Sequence, residues 1–151
     1  MAYEMQWLKL GAYTKYTGLV TQDEFFRSLD ELHQHPDFGI FRFSIRDLRD
    51  CNTELLSNQG LLRYASRFLA ARMMNPRIYS AILVDDSQVW PMAHRLKELA
   101  PQMLEIFEET SEVTQWLQLM TNVPIDCLGH GRWHHAYSAG PVMAQQIFRG
   151  R

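Results

Sequence analysis

Six acidic side chains and one arginine stand where the predicted strands of this chain end: Asp47, Arg49 and Asp50, then Asp85 and Asp86, then Glu108 and Glu109. In an open α/β sheet the functional crevice lies at the carboxyl ends of the strands. Asp47, Arg49, Asp50, Asp85 and Asp86 therefore define a candidate ligand-binding crevice. Paired carboxylates there have the chemistry to hold Mg²⁺, which prefers oxygen ligands, or to exchange protons with a substrate. The plainer account is that acids at helix N-termini cap the helices and complement their dipoles.

A second group lies in the last thirty residues. Cys127, His130, His134 and His135 fall within nine positions, and thiolate with imidazoles suits zinc. Gly129 and Gly131 flank His130, however, and the second ligand pair usual in structural zinc sites is missing. The plainer account is a set of loop histidines on a packed tail, and no metal is expected. Cys51 and Cys127 cannot form a disulfide framework, and free cysteine is most often a small buried hydrophobe. No Gly-rich loop follows any strand, and no G-x-S-x-G elbow occurs. With no catalytic constellation the chain reads as a non-enzyme, and no cofactor is expected.

The elements that must position these residues follow from periodicity. Trp7–Tyr13 and Tyr16–Val20 suggest a pair of strands or one bent strand, with Gly18 at a bulge. Thr21 and Glu24 fit a capping box, and Phe25, Phe26, Leu29 and Leu32 give the helix behind it an apolar stripe that ends at His35-Pro36. Phe41, Phe43 and Ile45 alternate with Arg42, Ser44 and Arg46, the period of a strand buried on one face that then runs into a charged loop. Ser57 or Asn58 caps a helix to Met74, with Leu61, Ala65, Phe68 and Arg72 on one stripe and Leu62, Leu69 and Met73 beside it. Ile78–Val84 is apolar enough for a central strand covered on both faces. Pro91 opens a helix burying Met92, Leu96 and Leu99, Met103–Phe107 is a further strand, and Thr110 or Ser111 caps a helix with Val113, Trp116, Leu117 and Met120 inward. Strand alternating with helix in a short chain implies an α/β sheet.

The 151 residues, 46% hydrophobic and 21% charged, suit one soluble domain. No apolar run is long enough to span a membrane, and Met1–Leu10 lacks a signal-peptide pattern; cytoplasmic residence is the expectation. Seven arginines lie between Arg42 and Arg77, and seven acids between Asp85 and Glu112, though the net charge is only −2. The asymmetry is one that an anion or acidic-partner surface would show, but the charges read first as solvated helix faces that pair with one another, and no basic tract interleaved with aromatics supports nucleic-acid binding.

The chain resembles the SpoIIAA-like, STAS-related domains, small bacterial α/β proteins, over about residues 13–117. The resemblance rests on the Tyr-x-Gly-x-Val-Thr segment (Tyr16–Thr21), Arg46-Asp47-Leu48-Arg49, the strand ending Val84-Asp85-Asp86, and Ile106-Phe-Glu-Glu with Gln115-Trp116-Leu117. It implies a mixed β-sheet with helices mainly on one face, as a domain over 1–120 with a C-terminal extension over 121–151. It also implies a regulatory role through protein–protein contact, with a homodimer as the expected assembly. The alternative is a small-molecule or lipid binder, since similar folds occur in CRAL-TRIO-like lipid carriers. In the antagonists of this group a phosphorylatable serine opens the helix after the strand equivalent to Phe41–Leu48. Here Ser57 and Thr53 are the nearest hydroxyls, neither with the expected neighbours, so Ser57 is a weak phosphoacceptor candidate. Trp133, Tyr137, Met143, Ile147 and Phe148 are too apolar for a disordered tail and are expected to cover the domain's own sheet or reach a partner subunit.

Overall fold

The computed structural model describes residues 2–53, 57–85, 89–101 and 104–125. Its strands are β1 (Tyr3–Leu8), β2 (Gly11–Val20), β3 (Phe43–Thr53), β4 (Tyr79–Leu83) and β5 (Leu104–Phe107), in that spatial order. The helices are α1 (Gln22–Gln34), α2 (Asn58–Met74), α3 (Trp90–Leu99) and α4 (Thr110–Thr121). β1 runs antiparallel to β2 and every other pair is parallel, so the sheet is mixed.

Topology dictates the layering. From β2 onward each crossover steps to the next strand in the same direction, and right-handed crossovers then place α1, α2 and α3 on one face. Phe25 and Leu29 of α1, Leu61, Tyr64 and Phe68 of α2, and Met92 and Leu96 of α3 share one core with Tyr16, Leu48 and Ile82 of the sheet. α4 follows the last strand and folds over the opposite face. There Val113 and Leu117 pack with Tyr13, Phe43, Ile45, Ala81 and Leu83. Gly11 lets the Phe43 ring lie against β2, since a Cβ at that position would sit 2.5 Å from the ring.

The capping box is present as read: Glu24 N donates to Thr21 Oγ1 and Thr21 N donates to Glu24 Oε2. Ser57 caps α2, accepting from Gly60 N at 3.1 Å. Asn75 closes α2 and ties down the 3₁₀ turn at Phe38–Ile40, its Nδ2 donating to the carbonyls of Phe38 and Phe41, each at 2.7 Å.

Several sequence expectations require correction. The first two strands part at Lys9-Leu10, not near Thr14; Leu10 takes a left-handed φ of 61° without glycine's freedom. β3 is buried on both faces, because Ser44, Arg46 and Leu48 lie under α1–α3 while Phe43 and Ile45 face α4. The charged stretch after Leu48 is strand rather than loop. Its pairing with β2 advances from Lys15↔Asp47 to Thr17↔Asp50, so β3 carries one extra residue, a β-bulge. On α2 the buried stripe is completed by Tyr64 and Ala71, while Leu62, Leu69 and Met73 face outward. Leu99 is only half-buried, with Ala93 taking its place inside α3. Glu109, not Thr110 or Ser111, is the N-cap residue of α4, and its backbone N donates to Glu112 Oε2.

Candidate functional site

Asp47 projects from β3 toward α4, on the same face as Tyr13 of the neighbouring strand. It is 1% exposed. The bulge just beyond it brings Arg49 back onto the same carboxylate. Arg49 donates from Nε to Oδ1 at 2.9 Å, from Nη2 to Oδ2 at 2.7 Å and from its backbone N to Oδ1 at 3.2 Å. Tyr13 Oη donates to Oδ2 at 2.7 Å. Burial alone would push the Asp47 carboxyl up, but the hydrogen bonds from Arg49 and Tyr13 outweigh it and hold the group below the usual carboxylate range. The hydrogen bond and charge of Asp47 raise Arg49 in return, and burial with the adjacent carboxylate pushes the Tyr13 hydroxyl far above its ordinary value.

Four donated hydrogen bonds fill the acceptor sites of Asp47. A carboxylate so occupied has no lone pair free for a cation or a substrate proton. Arg49 Nη2 also donates to Thr110 Oγ1 at 3.2 Å, so the cluster ties β2, β3 and the start of α4 together. Asp50 stands apart at the surface, paired with Lys15 Nζ at 2.8 Å. Asp85 is exposed at the end of β4. Glu108 and Glu109 are exposed as well. Asp86 lies outside the described residues, as do Cys127, His130, His134 and His135. Among the described residues no group of three or more His, Cys, Asp or Glu could hold a metal ion.

Cys51 faces the α1–α3 core, its thiol donating to Leu48 O at 3.3 Å. Burial, reinforced by the charges of Asp47, Asp85 and Asp50, pushes that thiol up to about 11, so at neutral pH it is not a nucleophile. Ser57 stands exposed at the N-terminus of α2. Thr53 ends β3. Among the surface charges, Arg67 pairs with Asp30 at 2.8 Å and Arg95 with Glu98 at 3.0 Å, and Arg63 and Arg67 both lie over the Phe26 ring.

The second polar cluster is one that the sequence reading missed. Arg46 is 3% exposed beneath α2, and its Nη1 has no hydrogen-bond partner. Among the described residues no carboxylate forms an ion pair with it. Its guanidinium lies 5.6 Å from the centre of the Tyr64 ring. A desolvated cation–π contact contributes about 2 kcal/mol, less than the several kcal/mol that removing a guanidinium from water costs. Arg46 also lowers the Tyr16 and Tyr64 hydroxyls, but burial dominates; Tyr16 is pushed up to about 12. Beside Arg46, Ser44 Oγ and Ser80 Oγ lie 3.0 Å apart. Burial and the Arg46 charge push the nearby His33 imidazole down to about 4. One signal did exist: strand–helix repeats imply a parallel sheet whose inner strands are covered on both faces, so an arginine inside β3 had to be buried.

Compared with solved structures, the chain is similar to SpoIIAA, the Bacillus cell fate determinant, in its phosphorylated form. The TM-score is 0.53 at 9% identity, covering 76% of this chain and 99% of that one. A Shewanella loihica protein of the DUF3478 family with a SpoIIAA-like fold aligns with a TM-score of 0.48 at 15% identity, over 77% of this chain and 92% of its own. No family model matches the sequence, and no curated protein does. The chain has the SpoIIAA-like, STAS-type α/β fold, with about a quarter of its length outside the region matched to SpoIIAA.

Proposed function

We propose that this chain is a non-enzymatic STAS-like domain that regulates through protein–protein contact in the cytoplasm, with the outer face of α2 as its contact surface. The observation that carries this reading is an apolar row on that helix: Leu62, Leu69 and Met73 are 58%, 48% and 88% exposed. They recur at seven and four residues, so they lie on one helix face. An exposed apolar row of this kind is a usual mark of an interaction surface. The candidate carboxylates support the non-catalytic part of the reading, since Asp47 is locked by Arg49 and Tyr13 while Asp50 is paired with Lys15. Among the described residues, the space beneath α1 and α2 is too small for an apolar ligand.

The experiment is affinity capture from the native host with the wild-type chain and with Leu69→Glu/Met73→Glu. The variant should lose the captured protein while keeping the wild-type melting temperature. Sedimentation of both proteins identifies a second copy of the chain as the occupant if the wild type alone is dimeric. Capture that the double variant leaves intact, or reproducible turnover of a substrate, would overturn the proposal.

A further inference from the structure

We propose that the cavity enclosed by the last turns of α1 and α2 and the first halves of β3 and β4 is a binding site for a small monovalent anion of chloride size, held by Arg46. Its polar lining consists of His33, Ser44, Arg46, Arg72 and Ser80, a set that contains no carboxylate. The remaining walls are apolar, including Leu32, Phe68 and Ile78.

The argument rests on the character of the groups that meet there. Arg46 Nη1 is a buried, charged donor without an acceptor. Ser44 and Ser80 share one hydrogen bond, which leaves the second hydroxyl hydrogen of the pair free to donate. The nearest acid acting on His33 is Asp30, which is already paired with Arg67. What the cavity asks of an occupant is therefore an acceptor, and one that brings negative charge. Apolar walls strengthen the attraction, because charges interact more strongly where water is excluded.

Size narrows the class. The centre of a water-sized particle has about 10 Å³ available, close to the minimum for a single bound water. A phosphate or a carboxylate ligand is too large; a halide ion, slightly larger than water, is accommodated as the partly exposed His33 and Arg72 side chains give way. Water is the competing occupant: it can accept from Arg46 Nη1 but leaves the buried charge uncompensated. His33 and Arg72 are partly exposed and form the route by which an ion would enter.

The test uses the full chain. Thermal unfolding is compared in sodium chloride, sodium bromide and sodium gluconate at matched ionic strength, and crystals grown in bromide are examined for anomalous scattering. A bound halide should raise the melting temperature by roughly 3–6 °C for each tenfold increase beyond its dissociation constant, and bromide should appear within hydrogen-bonding reach of Arg46 Nη1. Arg46→Met should abolish the halide-specific rise. Ser80→Ala, which keeps the arginine, should weaken it several-fold, so the proposal stays testable if Arg46→Met does not fold. Superimposable halide and gluconate curves, a water in place of bromide at Arg46, or a halide effect that survives Arg46→Met would each overturn it.

Discussion

Arg49 grips Asp47 with side chain and backbone at once, its guanidinium on both carboxylate oxygens and its backbone N on Oδ1. The β-bulge that follows Asp47 turns the backbone so that Arg49 N, as well as its side chain, meets the same carboxylate. Removing either partner leaves the other inadequately compensated in a largely buried setting. Asp47→Ala should destabilise the fold by about 3 kcal/mol, and Arg49→Met should also be strongly destabilising. The double variant should cost less than the sum of the two. Urea unfolding of all three would measure this, and additivity would show that the pair is not coupled.

Stability should also fall with acid, and two of the groups responsible act in separable pH ranges. The Asp47 carboxyl is held below its ordinary value of 3.8 when folded, so its contribution is complete above that pH and disappears as pH falls through the lower folded value. His33 acts at higher pH. Folding lowers it from 6.5 to about 4, so between these values the unfolded chain binds the proton and the folded chain does not. Stability should therefore decline from pH 6.5 towards pH 4, and His33→Gln should flatten that slope. Denaturant midpoints across the range would decide it, an unchanged slope in the variant being the adverse result.

Cys51 should behave as an inert core residue. Burial and three neighbouring carboxylates hold its thiol up near 11, so alkylation of the native chain at neutral pH should leave it unmodified. The same residue should label fully in denaturant, with peptide mass mapping as the readout. Rapid native labelling at Cys51 would contradict the packing described for β3.

Much of the architecture was legible in local signals, and the failures share a cause. The Thr21–Glu24 capping box and the Phe25, Leu29 and Leu32 stripe are written within one helix, so sequence spacing suffices. β3 misled because alternation reports polarity, not exposure: Ser44 and Arg46 look like a solvent face but lie under α1 and α2. On α2, Leu61, Ala65 and Phe68 are buried as read, but apolar residues occupy two sides of that helix, and only the position of the sheet decides that Tyr64 and Ala71 join them inside while Leu62, Leu69 and Met73 are outside. The hairpin turn is announced only by Gly11 at its last position, while its two central residues, Lys9 and Leu10, are not turn formers. Asp47 and Arg49 were singled out together, but Tyr13 was not, since its approach depends on the β2–β3 register across 34 positions.

The final prediction concerns where the domain can be cut. Ile125 is 2% exposed in the core beneath α4, and Val123 packs against the same core. Thr121 Oγ1 donates to Leu117 O at 2.6 Å and accepts from Val123 N at 3.2 Å, which turns the chain back onto the sheet after Asn122 leaves the helix with a φ of 55°. A chain ending at Met120 loses all of these contacts. Burial of one such aliphatic side chain contributes about 1.5–3 kcal/mol, so the melting temperature should drop by roughly 4–8 °C. A chain ending at Ile125 keeps this packing, and any further deficit against the full chain measures what residues 126–151 add. Calorimetry and sedimentation of the three lengths make the comparison. If the chain ending at Met120 melts and sediments like the full chain, the residues beyond it are dispensable and the expectation fails.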